Sequence, residues 1–240
     1  MRIIAWNLGH QTQERAIKPV FDRTVDALRP DVLVLNEYVD GASRTPLKAA
    51  LVRRGLRHVQ CSTRVGHHNQ VLIASRYEFA VCGLPPLSDS MALSNLLHVR
   101  LVAEGVELVG LRTPAYERAT DCIRFWNELS QFIRSTQARH ILYIGDLNAD
   151  PNNGRKTGGK ALASLRQDGW QIPEPVGEWS YRSSRAGSRI DHAVVSPSLR
   201  VESAIYWAEI DGFRCAGAEK HLYDHAPLSV DIDVRLPNNP

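Results

Sequence analysis

Asp146 and Asn148 stand two residues apart in the stretch Ile144-Gly145-Asp146-Leu147-Asn148-Ala149-Asp150-Pro151, directly after the apolar run His140–Ile144. The run is short and β-branched, which reads as a buried strand. Pro151-Asn152-Asn153-Gly154 behind it is a turn cluster. On extended backbone, residues two apart project to the same side. A carboxylate beside a carboxamide then holds a water between an anionic and a neutral acceptor, which suits activating water against a phosphate. A strand that ends in an Asx turn is the plainer reading, and for this stretch alone it is at least as good.

Four further strand-like runs end in polar residues that fold stability does not require: Trp6-Asn7, Asn36-Glu37, Arg189-Ile190-Asp191-His192 and Asp224-His225. Each taken singly is an ordinary turn residue. Five suggest one common mouth. Glu37 and Asp224 are hard oxygen donors and Asn7 adds an amide oxygen, a set that favours Mg²⁺ or Mn²⁺ over zinc. Asp191 can fix the imidazole of His225, which then polarises a phosphoryl oxygen or moves a proton. Asp146, helped by Asn148, holds the attacking water.

The elements that must position these groups follow from pattern. Arg2–Trp6 reads as a strand, Gln13–Leu28 as a helix with Ala16, Ile17, Val20, Phe21, Val25 and Leu28 on one face, and Asp31–Leu35 as a second buried strand. Pro30 closes the helix. This is a βαβ unit; with parallel strands, Asn7 and Glu37 emerge at one edge. A short helix at Pro46–Arg54 and a strand at Arg57–Ser62 follow. Asn69–Ser75 and Glu78–Gly83 read as neighbouring strands. Leu96–Val102 and Val106–Leu111 form a hairpin with Glu104-Gly105 in the turn. A helix over Glu117–Arg134 buries Ala119, Ile123, Trp126, Leu129 and Ile133. Long loops and one helix, Gly159–Gln167, occupy the stretch to Ser188, and strands follow at Arg189–Val195, Val201–Trp207 and Pro227–Val234. Two packed sheets with helices outside, in one domain over residues 1–236 with a frayed tail at 237–240, fit this alternation.

Composition sets wide bounds. The chain has 240 residues, 43% hydrophobic and 23% charged, as in ordinary globular proteins. No run is long enough to cross a membrane, and the N-terminus has no signal-peptide layout. Cys61, Cys82, Cys122 and Cys215 are scattered without a CxxC pair, which reads as reduced thiols in a cytoplasmic protein. A net charge of +3 is compatible with a phosphate-bearing substrate but too weak to show one.

In order along the chain, Trp6-Asn7, Glu37, Gly145-Asp146-Leu147-Asn148, Arg189-Ile190-Asp191 and Asp224-His225-Ala226-Pro227 resemble the endonuclease/exonuclease/phosphatase superfamily, the deoxyribonuclease-like family. The resemblance spans nearly the whole chain. It implies an α/β four-layer sandwich, two mixed β-sheets packed face to face with helices on the outer faces. It also implies divalent-metal-dependent hydrolysis of a phosphoester by in-line attack of water. Carried over by position, Glu37 is the metal ligand with Asn7 beside it and Asp224 at the metal or its water shell. Asp146 is the water-activating carboxylate, Asn148 positions water and phosphate, and Asp191 pairs with His225.

Two positions depart from that pattern. Many relatives carry an Asn or Tyr, in some followed by a His, where this chain has Leu111-Arg112-Thr113-Pro114-Ala115-Tyr116. Arg112 can bind a phosphate oxygen bidentately but is no general acid at ordinary pH; Tyr116 or a metal-held water would have to protonate the leaving group. A surface arginine at a strand end is the plain alternative. Secondly, Trp179-Ser180-Tyr181-Arg182 resembles the abasic-site endonucleases, yet Ser188 stands where they carry a bulky aromatic, which argues against abasic-site repair.

Other residues have two readings. Asn69, before the strand Val71–Ser75, either touches phosphate or sugar or caps the strand. His67-His68 point oppositely on extended chain, so a loop pair is favoured over a metal site. Arg155, Lys156, Lys160, Arg182 and Arg185 either steer an anionic polymer or are solvated surface. Trp179 and Tyr181 either stack on bases or pack in the core. The leading expectation is a nuclease acting on DNA or RNA, with nucleic acid as substrate partner and the protein a monomer. The alternatives are a phosphatase or phosphodiesterase for a small-molecule or lipid phosphoester, and a silent scaffold, which the presence of Glu37, Asp146, Asp191 and His225 disfavours.

Overall fold

Strands buried on both faces set the architecture, because each must have a partner layer on either side. The computed structural model describes residues 1–9, 17–66, 68–84, 87–89, 92–113 and 119–234. In chain order the elements are β1 (Arg2–Asn7), α1 (Val20–Leu28), β2 (Val32–Tyr38), α2 (Thr45–Arg53), β3 (His58–Cys61), β4 (Gln70–Ser75), β5 (Phe79–Val81), α3 (Ala92–Asn95), β6 (Leu96–Leu101), β7 (Glu107–Arg112), α4 (Ala119–Ser135), β8 (Ile141–Asp146), α5 (Thr157–Gln167), β9 (Tyr181–Arg182), β10 (Gly187–Ser188), β11 (Asp191–Val195), β12 (Arg200–Tyr206), β13 (Glu209–Ile210), β14 (Phe213–Arg214) and β15 (Leu228–Asp233).

One sheet has the order β12-β15-β1-β2-β4-β3 and the other β11-β8-β7-β6-β5, while β9/β10 and β13/β14 are two small ribbons. Both sheets are mixed. β1 runs parallel to β2 and β7 to β8, and β15, β4 and β11 are antiparallel to their neighbours. Period-two alternation sorts the side chains into layers. Ile3, Ala5, Val32, Val34, Leu108, Leu142, Ile144 and Val195 fill the space between the sheets. Ile4, Trp6, Leu33 and Leu35 face outward beneath Phe21, Val25 and Leu28 of α1 and Leu47 and Leu51 of α2. Val109, Leu111, Ile141 and Tyr143 do the same beneath α4 and α5. This is the expected four-layer α/β sandwich. At Gly110 the sheets approach so closely that a Cβ would lie 2.7 Å from Val34 Cγ1.

The βαβ unit and the hairpin with Gly105 in its turn are as expected from the sequence. Three expectations are corrected. α1 begins at Val20, not Gln13; Pro19 stands at its N-cap, and residues 13–16 lie outside the described region. β4 and β5 are not neighbours: both edges of β4 are taken by β2 and β3, so β5 pairs with β6 in the other sheet. On α4 the buried stripe is Phe125, Trp126, Leu129 and Ile133, while Ala119 and Ile123 face solvent. Phe125 outcompetes Ile123 because it lies four and eight residues before Leu129 and Ile133, on their face. Among the described residues, no helix is long and apolar enough to cross a membrane. The four cysteines carry free thiols. Residues 237–240 lie outside the described region.

Candidate active site

The inward stripes of five strands are apolar along their length and turn polar at one end. Ile3-Ala5 continues to Asn7, Val32-Val34 to Asn36, Leu108-Gly110 to Arg112, and Leu142-Ile144 to Asp146. Val195-Ala193 leads back to Asp191, the first residue of β11. Register puts these ends together: Asn7 is level with Asn36, Arg112 with Asp146, and Asp146 with Asp191. The same alternation that builds the core therefore aims the polar groups into one gap between the sheets.

Backbone irregularities refine the aim. Alternation would turn Glu37 toward the helices, but β2 breaks register between Leu35 and Tyr38, and Glu37 has φ +54. A bulge of this kind re-aims a side chain at the cost of local strain. Gly145 has φ +149, and a Cβ there would lie 2.0 Å from the Leu111 carbonyl oxygen and 2.8 Å from Asn36 Oδ1. Only glycine permits that approach, which lets the Asn36 oxygen accept from the Asp146 N–H at 3.2 Å while its Nδ2 donates to the Leu111 carbonyl at 3.0 Å. Asn36 thus joins the two sheets one residue before Glu37.

Asp146 Oδ2 accepts from Asn7 Nδ2 at 2.9 Å, and Asp146 Oδ1 from the Asn148 N–H at 2.9 Å. Asn148 has φ +44, so Asp146 and Asn148 meet through an Asx turn and not along extended strand. Asn148 Nδ2 donates to the Thr113 carbonyl at 2.7 Å. Asn7 Oδ1 accepts from the Gly9 N–H at 2.9 Å, so the carboxamide holds both Asp146 and the turn after β1. A second lone pair on Oδ1 leaves room for the expected place of Asn7 beside Glu37. His225 Nδ1 lies 2.8 Å from Asp191 Oδ2, which makes Nδ1 the donor and leaves Nε2 for the cleft. Two N–H groups, of Ile190 and Asp191, are fixed by Ser180 Oγ at 2.8 and 3.0 Å. The Trp6 indole N–H donates to the His225 carbonyl at 2.8 Å, and the Tyr181 ring lies 4.9 Å from the imidazole.

These contacts pull two titrations in a useful direction. Burial pushes the Asp146 carboxyl up, as does the facing charge of Asp191, against the pull of His225 and Arg112. For His225 burial works downward, but the charge of Asp191 and its hydrogen bond outweigh it and raise the imidazole to about 9. Near neutral pH the pair is a poised carboxylate and a cationic imidazole.

Arg112 lines the cleft with its side chain engaged by a carboxylate. Its Nε donates to Glu37 Oε1 at 2.9 Å and lies 3.7 Å from Asp146 Oδ2. Both partners are largely buried, at 15% and 7% side-chain exposure, so the pair is well shielded from water. Glu37, Arg112, Asp146, Asn148, Asp224 and His225 line one cavity of about 890 Å³, whose walls continue through Lys18, Tyr181, Arg182, Ser183, Ser184 and Lys220. Oxygen donors of Glu37, Asp146 and Asp224 suit a hard divalent cation; the guanidinium of Arg112 already holds one of them. A separate grouping of Cys82, His98 and Glu107 lies at the β5–β6–β7 edge outside this cavity. Arg139 pairs with its carboxylate, and its thiol makes it softer than the expected magnesium site.

Asn69 stands before β4 and is not among the described residues that line the cavity. Tyr116 and His67 lie outside the described residues. Sequence reasoning passed over Asn36 and Ser180 as structural anchors of the site, and Lys18, Ser183, Ser184 and Lys220 as its walls. Asn36 carried a signal, its place beside Glu37; the wall residues carried none, because their position depends on how loops fold over the strand ends.

A strand-end cluster of carboxylates, histidine and arginine thus sits at one end of the gap between the two sheets of a deoxyribonuclease-like sandwich. The chain belongs to the endonuclease/exonuclease/phosphatase family, whose model matches residues 4–212, and hydrolysis of phosphoesters is that family's chemistry. No curated protein sequence matches the chain. Among solved structures it is similar to an AP endonuclease from Archaeoglobus fulgidus, with 17% identity, 97% of this chain and 99% of that one covered, and a TM-score of 0.71. It is similar to a 3′ phosphatase, NExo, from Neisseria bound to a product DNA hairpin, with 20% identity, coverage of 97% and 99%, and a TM-score of 0.66. The catalytic domain of human nocturnin follows at 18% identity, 97% and 93% coverage, and a TM-score of 0.61. At these identities the likeness concerns the fold.

Proposed function

We propose that the cleft hydrolyses a phosphodiester of nucleic acid, DNA or RNA, by in-line attack of water and with a divalent cation, Mg²⁺ or Mn²⁺. The observation that carries this reading is the convergence of Glu37, Arg112, Asp146, Asp224 and the Asp191-paired His225 on one cavity at the strand ends. A carboxylate and an imidazole held on one cavity can serve as base and acid, and the directions of their titrations agree with those roles.

Asp146 takes the proton of the attacking water, with Asn7 and Asn148 fixing its two oxygens. His225, oriented by Asp191, donates from Nε2 to a phosphoryl oxygen or to the leaving group. Arg112 turns to the phosphate and offers a planar fork to the charge that builds there. Glu37 and Asp224 are the residues that would hold the cation, which supplies Lewis-acid stabilisation of the same charge. Asn7 orients Asp146 through Nδ2, and its Oδ1 can still stand beside the cation. Arg182 and Lys220, on walls beyond the reacting centre, suit phosphates that flank the cleaved one, and the AP endonuclease and the DNA-bound phosphatase among the similar structures support a nucleic-acid substrate.

The test is incubation with Mg²⁺ or Mn²⁺ and end-labelled single-stranded DNA, duplex DNA and RNA, beside a small phosphoester. Cleavage of at least one polymer is expected. Turnover of the small phosphoester alone would replace this reading with that of a small-molecule phosphatase.

A further inference from the structure

We infer that Arg112 competes with the divalent cation for Glu37, so that the guanidinium alternates between that carboxylate and the substrate phosphate, and metal and phosphate bind cooperatively. The inference rests on the metal-dependent reading above and adds to it a coupling device.

Three features carry it. First, the contact is close and shielded: Arg112 Nε to Glu37 Oε1 is 2.9 Å, with little of either side chain exposed. A shielded pair is costly to break, because removing one member leaves the other charge buried and uncompensated. Second, the backbone that carries Glu37 is held in place. It sits on the β2 bulge at φ +54, next to Asn36, which is locked between the sheets. Third, Arg112 ends β7 level with Asp146, 3.7 Å from Asp146 Oδ2, so a small swing of its side chain carries it along the carboxylates that line the cavity. A guanidinium is always charged and cannot be switched off by losing a proton. A dication entering beside Glu37 therefore meets a resident positive charge and must displace it.

Displacement has a use. An Arg112 released from Glu37 is a bidentate donor for a phosphate, and a phosphate that draws Arg112 away opens Glu37 to the cation. Reciprocity follows from linkage: whatever factor phosphate adds to metal affinity, metal adds to phosphate affinity. Metal affinity in the absence of phosphate is held down, which limits capture of stray cations by an otherwise acidic cluster.

The experiment measures Mn²⁺ binding to the full chain by calorimetry, without and with inorganic phosphate, in wild type, Arg112→Gln, Arg112→Lys and Glu37→Gln. Arg112→Gln should tighten phosphate-free Mn²⁺ binding on the order of tenfold and shrink the gain from phosphate. Arg112→Lys keeps a cation beside Glu37 and should stay near wild type. In wild type, the ¹H–¹⁵N signal of Arg112 Nε, identified by its loss in Arg112→Lys, should shift when Mg²⁺ is added; this readout survives if Arg112→Gln folds poorly. An unchanged or weaker Mn²⁺ affinity in Arg112→Gln, or an Arg112 signal that ignores saturating Mg²⁺, overturns the inference. Mn²⁺ binding that persists in Glu37→Gln overturns the metal assignment itself. Loss of binding in Glu37→Gln without tightening in Arg112→Gln removes only the competition.

Discussion

Asp146 and Asp191 are direct partners across the antiparallel β8–β11 pair, and both carboxylates face the gap between the sheets. Asp191 is paired with the imidazole of His225 through the 2.8 Å Nδ1 contact. Burial first, and then the facing charge of Asp191, raises the Asp146 carboxyl. The division of labour in the site begins with that register.

The His225 titration tests it. Asp191→Asn removes the charge and weakens the hydrogen bond that raise the imidazole, while burial continues to push it down. The ring should titrate near 9 in wild type and well below that in the variant, followed by NMR of the ring nitrogens. An unmoved titration would separate Asp191 from His225.

The same shift predicts a pH dependence of stability. An imidazole raised above its unfolded value of about 6.5 stabilises the folded state fully below that pH. The contribution fades as pH rises toward the folded value of about 9. The urea-midpoint gap between wild type and Asp191→Asn should therefore shrink between pH 6 and pH 10. A gap that widens would give the opposite sign and contradict the assignment.

Asn36 predicts an effect on stability and activity together. Asn36→Ala leaves the Asp146 N–H and the Leu111 carbonyl, both buried, without their side-chain partner. The cost is about 2 kcal/mol or more, read from urea unfolding, with activity lost beyond what the unfolded fraction accounts for because Asp146 loses its anchor. A variant as stable and active as wild type would show that Asn36 is dispensable.

Gly145→Ala is more severe. The added methyl would start 2.0 Å from the Leu111 carbonyl oxygen at a φ of +149. The β7–β8 pair must part to admit it, at a cost of at least about 2 kcal/mol. Circular dichroism melting should show the loss, and an unchanged melting temperature would mean that β8 can relax away from β7.

Much of this was legible in the sequence because continuous apolar runs such as Asp31–Leu35 and His140–Ile144 end in polar residues. Those runs marked buried strands and a set of polar strand ends, while the four-layer sandwich and the roles of the polar residues followed from the family resemblance. What lies outside the pattern of single strands was missed. The bulge that turns Glu37 into the cleft breaks the period. The Asx turn at Asn148 replaces extended chain. Placing β5 in the second sheet depends on β4 being flanked on both sides, and the salt bridge of Arg112 to Glu37 requires the two sheets to be packed. Lys220 and Ser183 reach the cleft only through loop folding, and nothing local in the sequence marks them.

Hydrolysis by wild type and Asp146→Asn, side by side on labelled nucleic acid with Mg²⁺ or Mn²⁺, tests the account at its centre. Asparagine keeps the size of the side chain and an acceptor for Asn7 but cannot take a proton. The variant should fold, with hydrolysis slowed on the order of a hundredfold to ten-thousandfold. A folded Asp146→Asn protein that cleaves at the wild-type rate would contradict it.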